Sequence, residues 1–119
     1  MVATLTKSQI LEIHDKLVRS SGEEIDVLSN YKLNSIVLRH KGAKTLAKKA
    51  AIFLHDIPNF QPFSEGNKRT AFASTMIFLK YNKKKLKLPK KVLEEIIIYS
   101  VNNNLTLREI ERILKKAIV

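Results

Sequence analysis

The chain has 119 residues, enough for one domain with a real core (residues 1–119) and too few for two. Its apolar fraction of 45% is that of a globular protein, it has no cysteine, and no apolar run approaches the roughly 20 residues needed to cross a bilayer, so disulfides, thiolate chemistry and a membrane partner are excluded. Lys and Arg number 22 against 11 Asp and Glu, and the net charge of +11 suits anionic partners: nucleotides, nucleic acid or an acidic protein. The N-terminus carries no signal-peptide pattern, and a cytoplasmic location is expected.

The periodicity is helical almost throughout. Thr6-x-x-Gln9 is a capping box that opens a first helix, with Ile10, Ile13, Leu17 and Val18 on one face and a stop near Ser20-Ser21-Gly22. His14 shares that inward stripe, which predicts a hydrogen-bonded core histidine. An acidic connector over 22–28 holds Glu23, Glu24 and Asp26. Ser29 or Asn30 caps a second helix with Leu33, Ile36 and Val37 inward, ending near His40-Lys41-Gly42 with His40 as a helix-terminus residue.

A third helix is expected from about Ala43 to Ile57, with Leu46, Ala47, Ala50, Leu54 and Ile57 buried and Pro58 closing it. The fourth, from Asn67 to about Tyr81, is apolar on most sides through Ala71, Phe72, Ala73, Met76, Ile77, Phe78 and Leu79, which predicts the central helix. Residues 82–91 hold six lysines, read as a solvated face because no aromatics alternate with them, and Pro89 fits the first turn of a fifth helix. Ile96-Ile97-Ile98-Tyr99 alone would suit a strand, but Val92, Leu93, Glu94 and Glu95 extend it beyond strand length. Thr106-x-x-Glu109 is a second capping box, opening a last helix with Ile110, Ile113, Leu114, Ala117 and Ile118 on one face. The expected architecture is all-α, a compact bundle of about six helices.

The chemistry concentrates in residues 61–71, Gln61-Pro62-Phe63-Ser64-Glu65-Gly66-Asn67-Lys68-Arg69-Thr70-Ala71. A turn runs directly into the start of a helix, where backbone N–H groups and the helix dipole favour anions. Gly66 allows close backbone approach. Asn67 can cap the helix or turn its amide to a phosphate oxygen. The amides of 67–69 can form an anion nest, with Lys68 a point charge and Arg69 a bidentate donor. Glu65 offers a hard oxygen to Mg²⁺, and Phe63 is an inward anchor for the loop. His55, beside Asp56, is either a second candidate base or an ordinary helix-end residue. The three histidines lack metal-ligand spacing, so no zinc site is expected.

This stretch resembles the signature of Fic/Doc (fido) proteins, especially the Doc or death-on-curing branch, whose pattern is His-x-Phe-x-Asp/Glu-Gly/Ala-Asn-Lys-Arg-Thr-Ala. Ile10–Asp15, Leu46–Ala51, Phe78–Asn82 and Thr106–Ile110 look like further helices of Doc-like proteins. The resemblance implies an all-helical fold and transfer of phosphate or AMP from ATP, with Mg²⁺, to a protein hydroxyl. For the Doc branch it implies phosphorylation of translation elongation factor Tu and neutralisation by an antitoxin. Carried over, Phe63 is the loop anchor and Glu65 the metal-binding carboxylate. Gly66, Asn67, Lys68 and Arg69 are the phosphate-binding set, Lys68 and Arg69 also serving catalysis. Lys68 in place of the second Gly of the Fic pattern, and Phe72 in place of its second Arg, point to the Doc branch.

One residue departs from the pattern: Gln61 stands where the family has its catalytic His. An imidazole accepts a proton near neutral pH, whereas an amide only orients a hydroxyl. The expectation is a nucleotide-binding protein with weakened or absent transferase activity. The alternative is a non-catalytic module that uses its basic surface for nucleic acid or an acidic protein. Ser20-x-x-x-Glu24 is followed by Ile25 and matches the inhibitory segment of some Fic proteins poorly, so no autoinhibition is expected.

Overall fold

Local capping sets most helix ends. In a computed structural model, which describes residues 2–22 and 26–119, Thr6 Oγ1 accepts the Gln9 N–H at 3.2 Å and Gln9 Oε1 accepts the Thr6 N–H at 2.8 Å. This closed box starts α1 (Lys7–Ser21), and Gly22 ends it in the left-handed conformation, φ 74°. Ser29 caps α2 (Asn30–Gly42), Thr45 caps α3 (Leu46–Phe60), and the Thr106–Glu109 box starts α6 (Leu107–Ala117). The Thr106 N–H and hydroxyl both bond Glu109, which holds its carboxyl below the usual value. Between them lie α4 (Asn67–Tyr81) and α5 (Lys90–Ser100), the latter followed by a 3₁₀ turn at Val101–Asn103. Among the described residues the protein is an all-α bundle of six helices, with two isolated β-bridges and no longer strand. Glu23, Glu24 and Ile25, and with them much of the expected acidic connector and the Ser20-x-x-x-Glu24 segment, lie outside the described residues.

Three expectations need correction. The central helix is α3, which packs against α2, α4, α5 and α6 and buries ten residues, Ala50 to Leu54 among them. The inner face of α4 carries the small residues Thr70, Ala71, Ser74 and Thr75 above Phe78 and Leu79. Its larger side chains Phe72, Met76 and Ile77 are only half-buried. Apolar content was equal to the question of whether α4 is buried, but the choice of central helix depended on which faces have neighbours.

Pro58 does not close α3, which continues through Phe60. A proline lacks the N–H that would bond the carbonyl four residues back, here that of Leu54. The Ser100 hydroxyl lies 3.3 Å from that carbonyl oxygen and 2.7 Å from the Ile97 oxygen, and Asn59 Nδ2 donates to the Ser100 carbonyl at 2.6 Å. The end of α5 therefore packs polar groups beside the carbonyl that the proline leaves without an N–H, the single Ser100 hydrogen being closer to Ile97. Pro89, likewise, is the N-cap of α5 and not within its first turn.

His40 lies in the last turn of α2, as expected, and is fully buried there, stacked on Phe53 at 4.1 Å between centroids. The Leu5 N–H donates to its Nε2 at 3.1 Å, and its Nδ1 lies 2.9 Å from the Lys49 carbonyl oxygen. Those partners define a neutral ring with the hydrogen on Nδ1. Burial, and secondarily the charges of Lys49 and Lys41, push its pKa down to about 4, although the bond to the Lys49 carbonyl opposes this. Lys49 is itself buried and donates from Nζ to the His40 and Lys41 carbonyls at 3.2 and 2.7 Å. The end of α2 is thus sealed by a lysine from α3, while Gly42 keeps an ordinary negative φ.

Because an unfolded His40 takes up a proton near pH 6.5 and the folded one only near 4, acid favours unfolding across that window. The contribution is complete above pH 6.5 and falls by on the order of 3 kcal/mol as the pH approaches 4. Urea denaturation at stepped pH should show this loss in the wild type, and a shallower slope in His40→Gln, whose overall stability is lower.

Candidate functional site: the loop that opens α4

The loop between α3 and α4 is short and held from three sides. Gln61, exposed, ends α3 in the left-handed conformation (φ 50°, ψ 63°), its N–H bonded to the Ile57 carbonyl at 3.0 Å. The next three residues pair with the segment before α2. The Ser29 N–H donates to the Pro62 carbonyl at 3.1 Å, the Ser64 N–H donates to the Asp26 carbonyl at 3.2 Å, and Val27 and Phe63 form an antiparallel bridge. Phe63 is fully buried, its ring stacked on His14 of α1 at 3.7 Å and 9°. Its position is therefore that of an inward anchor.

Asn67 closes the loop onto the helix. Its Oδ1 accepts the Phe63 N–H at 3.2 Å and its Nδ2 donates to the Phe63 carbonyl at 2.9 Å. The side-chain amide is thus committed to the backbone of the buried anchor. It does not cap α4. The cap position belongs to Gly66, left-handed at φ 79°, with no side-chain cap and no acidic residue in the first turn. A helix start in this state has donors to offer an anion.

Two side chains add positive charge there. Lys68 and Arg69 are exposed and both line a groove of about 700 Å³, together with Phe72, Met76, Lys90 and Glu94. Its volume is in the range of small-molecule sites. Arg69 Nη1 also donates to Ser21 Oγ at 3.1 Å, which lays the guanidinium toward the C-terminal end of α1. Gln61, Glu65, Gly66 and Asn67 do not line this groove; they precede Lys68 along the chain. Glu65 is exposed, at the turn immediately before the uncapped amides. No group of three or more His, Asp or Glu side chains among the described residues could hold a metal ion.

His55 does pair with its carboxylate neighbour, Nδ1 to Asp56 Oδ1 at 2.8 Å, but Asp56 is fully buried and also takes a 2.8 Å bond from Arg39 Nε of α2. This ion cluster ties α3 to α2.

The model of the Fic/DOC family matches residues 4–79, more than half of the chain. The chain belongs to the Fic/DOC family. Comparison with curated proteins finds no match. The span that carries the Fic/DOC pattern takes in α1 to α4 and stops at Leu79, so the lysine-rich segment, α5 and α6 lie beyond it. No helix among the described residues is long and apolar enough to cross a membrane.

Within this Fic/DOC fold, sequence reasoning missed the residues that hold the loop: His14, Val18 and Ser21 on α1 and the segment 26–29. Only His14 left a signal, a polar residue on an otherwise apolar stripe.

Two substitutions measure how firmly the loop is built. Gly66→Ala should destabilise by about 1–3 kcal/mol, because a Cβ at positive φ is strained and would stand 3.0 Å from Val18 Cγ1. Asn67→Ala should cost about 1–3 kcal/mol by stranding the Phe63 N–H and carbonyl. Chemical denaturation of both variants checks the two figures.

Proposed function

We propose that the start of α4 is the nucleotide-phosphate site of a Doc-branch protein whose transferase chemistry is weakened by Gln61. The observation that carries this reading is the uncapped, left-handed Gly66 start with Lys68 and Arg69 on the rim of an open groove. The Fic/DOC family generally uses ATP with Mg²⁺, and these residues suit that pair: backbone donors, two cations and one carboxylate just before them. When bound, the nucleotide and its metal supply the transferable phosphoryl or adenylyl group and neutralise its charge.

The residues divide the work. The amides at the start of α4 and Lys68 bind the anionic oxygens, and Arg69 offers a planar fork to them. Glu65 is the protein's oxygen ligand for the metal, and Phe63 anchors the loop. Gln61 accepts a hydrogen bond from a target hydroxyl and orients it, but does not remove its proton. General-base catalysis is commonly worth about 10²–10⁴-fold, and phosphoryl transfer rests chiefly on positioning and electrostatics, so residual activity is expected. The target is a protein hydroxyl of the elongation factor Tu type, and the physiological setting is a toxin restrained by an antitoxin.

A second reading is favoured by the lysine-rich side of α4. A further groove of about 690 Å³ there has an apolar floor of Met76, Ile77, Leu79 and Leu86 and a wall of Lys80, Lys83, Lys84 and Lys85. This suits an acidic partner held without chemistry. Such binding would weaken steeply with salt and ignore changes at Glu65 and Lys68.

Titration calorimetry with ATP and Mg²⁺ tests the first reading. Binding to the wild type, weakened at least about tenfold in Lys68→Ala/Arg69→Ala, supports it; absence of heat, or equal heats, overturns the binding half. Gln61→His tests the chemistry, and histidine is among the residues that tolerate the left-handed backbone at this position. Phosphorylation of elongation factor Tu should rise by about 10²–10⁴-fold. No rise in a variant that binds ATP would remove the proposed cause of weakness.

A further inference from the structure

The face of α1 that meets the loop carries three residues at a spacing that places them in one line, His14, Val18 and Ser21. Each meets a successive part of the anion cradle. His14 Nε2 lies 2.7 Å from the Glu65 carbonyl oxygen. Val18 Cγ1 would stand 3.0 Å from a Cβ on Gly66. Ser21 Oγ accepts from the Arg69 guanidinium at 3.1 Å. None of the three belongs to the 61–69 loop, and none is assigned a role by the reading above.

We propose that His14 is a positioning residue that aims the Gly66 amide at the bound anion, with Val18 and Ser21 completing the same wall. The argument begins with hydrogen-bond roles. A carbonyl oxygen only accepts, so the hydrogen of this bond is on Nε2 of His14. The bond turns the Glu65 carbonyl in toward α1. The peptide linking Glu65 to Gly66 is planar and trans, so the Gly66 N–H points the opposite way, out from α1. It thereby joins the donors at the uncapped start of α4.

The contacts around His14 leave it little freedom to do otherwise. The side chain is fully buried and its ring lies flat on Phe63, the anchor of the same loop. Its Cδ2 and Nε2 would lie 3.5 and 3.6 Å from a Cβ on Gly66, ordinary contact distances, so the turn packs directly on the ring, while the left-handed φ and the 3.0 Å approach to Val18 are what favour glycine. The ring is held on one side by the loop it orients and on the other by α1. Asp15 Oδ1 lies 3.4 Å from Nδ1. A hydrogen bond that spans 51 positions in sequence thus sets the direction of one backbone donor.

This inference rests on the phosphate-site reading for its purpose, but its geometry can be tested without a ligand. His14→Phe keeps a ring on Phe63 and loses the donor. His14→Gln keeps an N–H donor and loses the ring. Backbone hydrogen exchange of the full chain should show amides 64–69 opening about tenfold faster in His14→Phe, with α3 and α6 protected as in the wild type, and a smaller change in His14→Gln. The Kd for ATP with Mg²⁺ should rise about tenfold in His14→Phe and stay within about threefold of the wild type in His14→Gln.

Unchanged exchange at 64–69 in His14→Phe overturns the proposal, as does a uniform rise across all helices, which would mean a merely structural role. If the wild type binds no nucleotide, the phosphate-site reading fails and the exchange measurement still decides whether His14 orients the loop. If His14→Phe does not fold, the comparison passes to His14→Gln and Ser21→Ala. There, the Kd must rise at least about threefold in Ser21→Ala without loss of melting temperature for the α1 wall to stand.

Discussion

Two hydrogen bonds between the Asn67 side chain and the backbone of Phe63 make the loop a part of α4. Phe63 is fully buried, so without that amide its N–H and carbonyl would have to find water where there is none. With it, the chain from Pro62 to Gly66 has little freedom, and the helix begins at a glycine that no side chain caps. The arrangement exchanges the ordinary use of an asparagine at a helix start for a different one. The residue that could have capped the first turn braces the preceding loop and leaves that turn without a side-chain cap.

The rest of the bundle supports this exchange. The segment 26–29 lies beside residues 62–64 and contributes backbone partners. α1 forms a wall along Glu65, Gly66 and Arg69. α3 carries the loop at its C-terminal end and is held on all sides, with its polar residues matched. Lys49 bonds the carbonyls that end α2, and Asp56 is shared between Arg39 and His55. A buried charge without such partners would cost several kcal/mol, so α3 could not occupy the centre with any of these removed. Outside this frame, the half-buried Phe72, Met76 and Ile77 of α4 line open grooves beside Lys68, Arg69 and the lysines of 80–85. Rigid backbone donors and an open, basic approach thus meet at one end of one helix.

Much of this was legible in the residues. Thr6 with Gln9 and Thr106 with Glu109 are interactions three positions apart, and both boxes form as their spacing predicts. Ser29 was one of two candidates for the cap of α2, and is the one used. The run Ile96–Tyr99 is helical because the residues before it are, despite its β-branched side chains. The loop stood out because a proline, a glycine and two cations precede an apolar helix. Less legible were the residues whose partners are distant. Pro58 looked like a stop, since the Ser100 hydroxyl that attends the Leu54 carbonyl lies 46 positions on. His40 was legible as a helix-end residue but not as a buried ring, because its bond from Leu5 reaches back 35 positions.

What the sequence by itself determined is the set of helices and the chemical content of the site. Caps, turns and periodicity act within a few residues, and the identity of a charged or glycine residue does not depend on its neighbours in space. What only the tertiary structure decided is which helix lies at the centre, which direction the loop's peptides face, and that Asn67 braces instead of capping. Those outcomes depend on the packing of α1 and α3 against α4, where contacts between residues far apart in the chain choose among several arrangements that local preferences alone would permit.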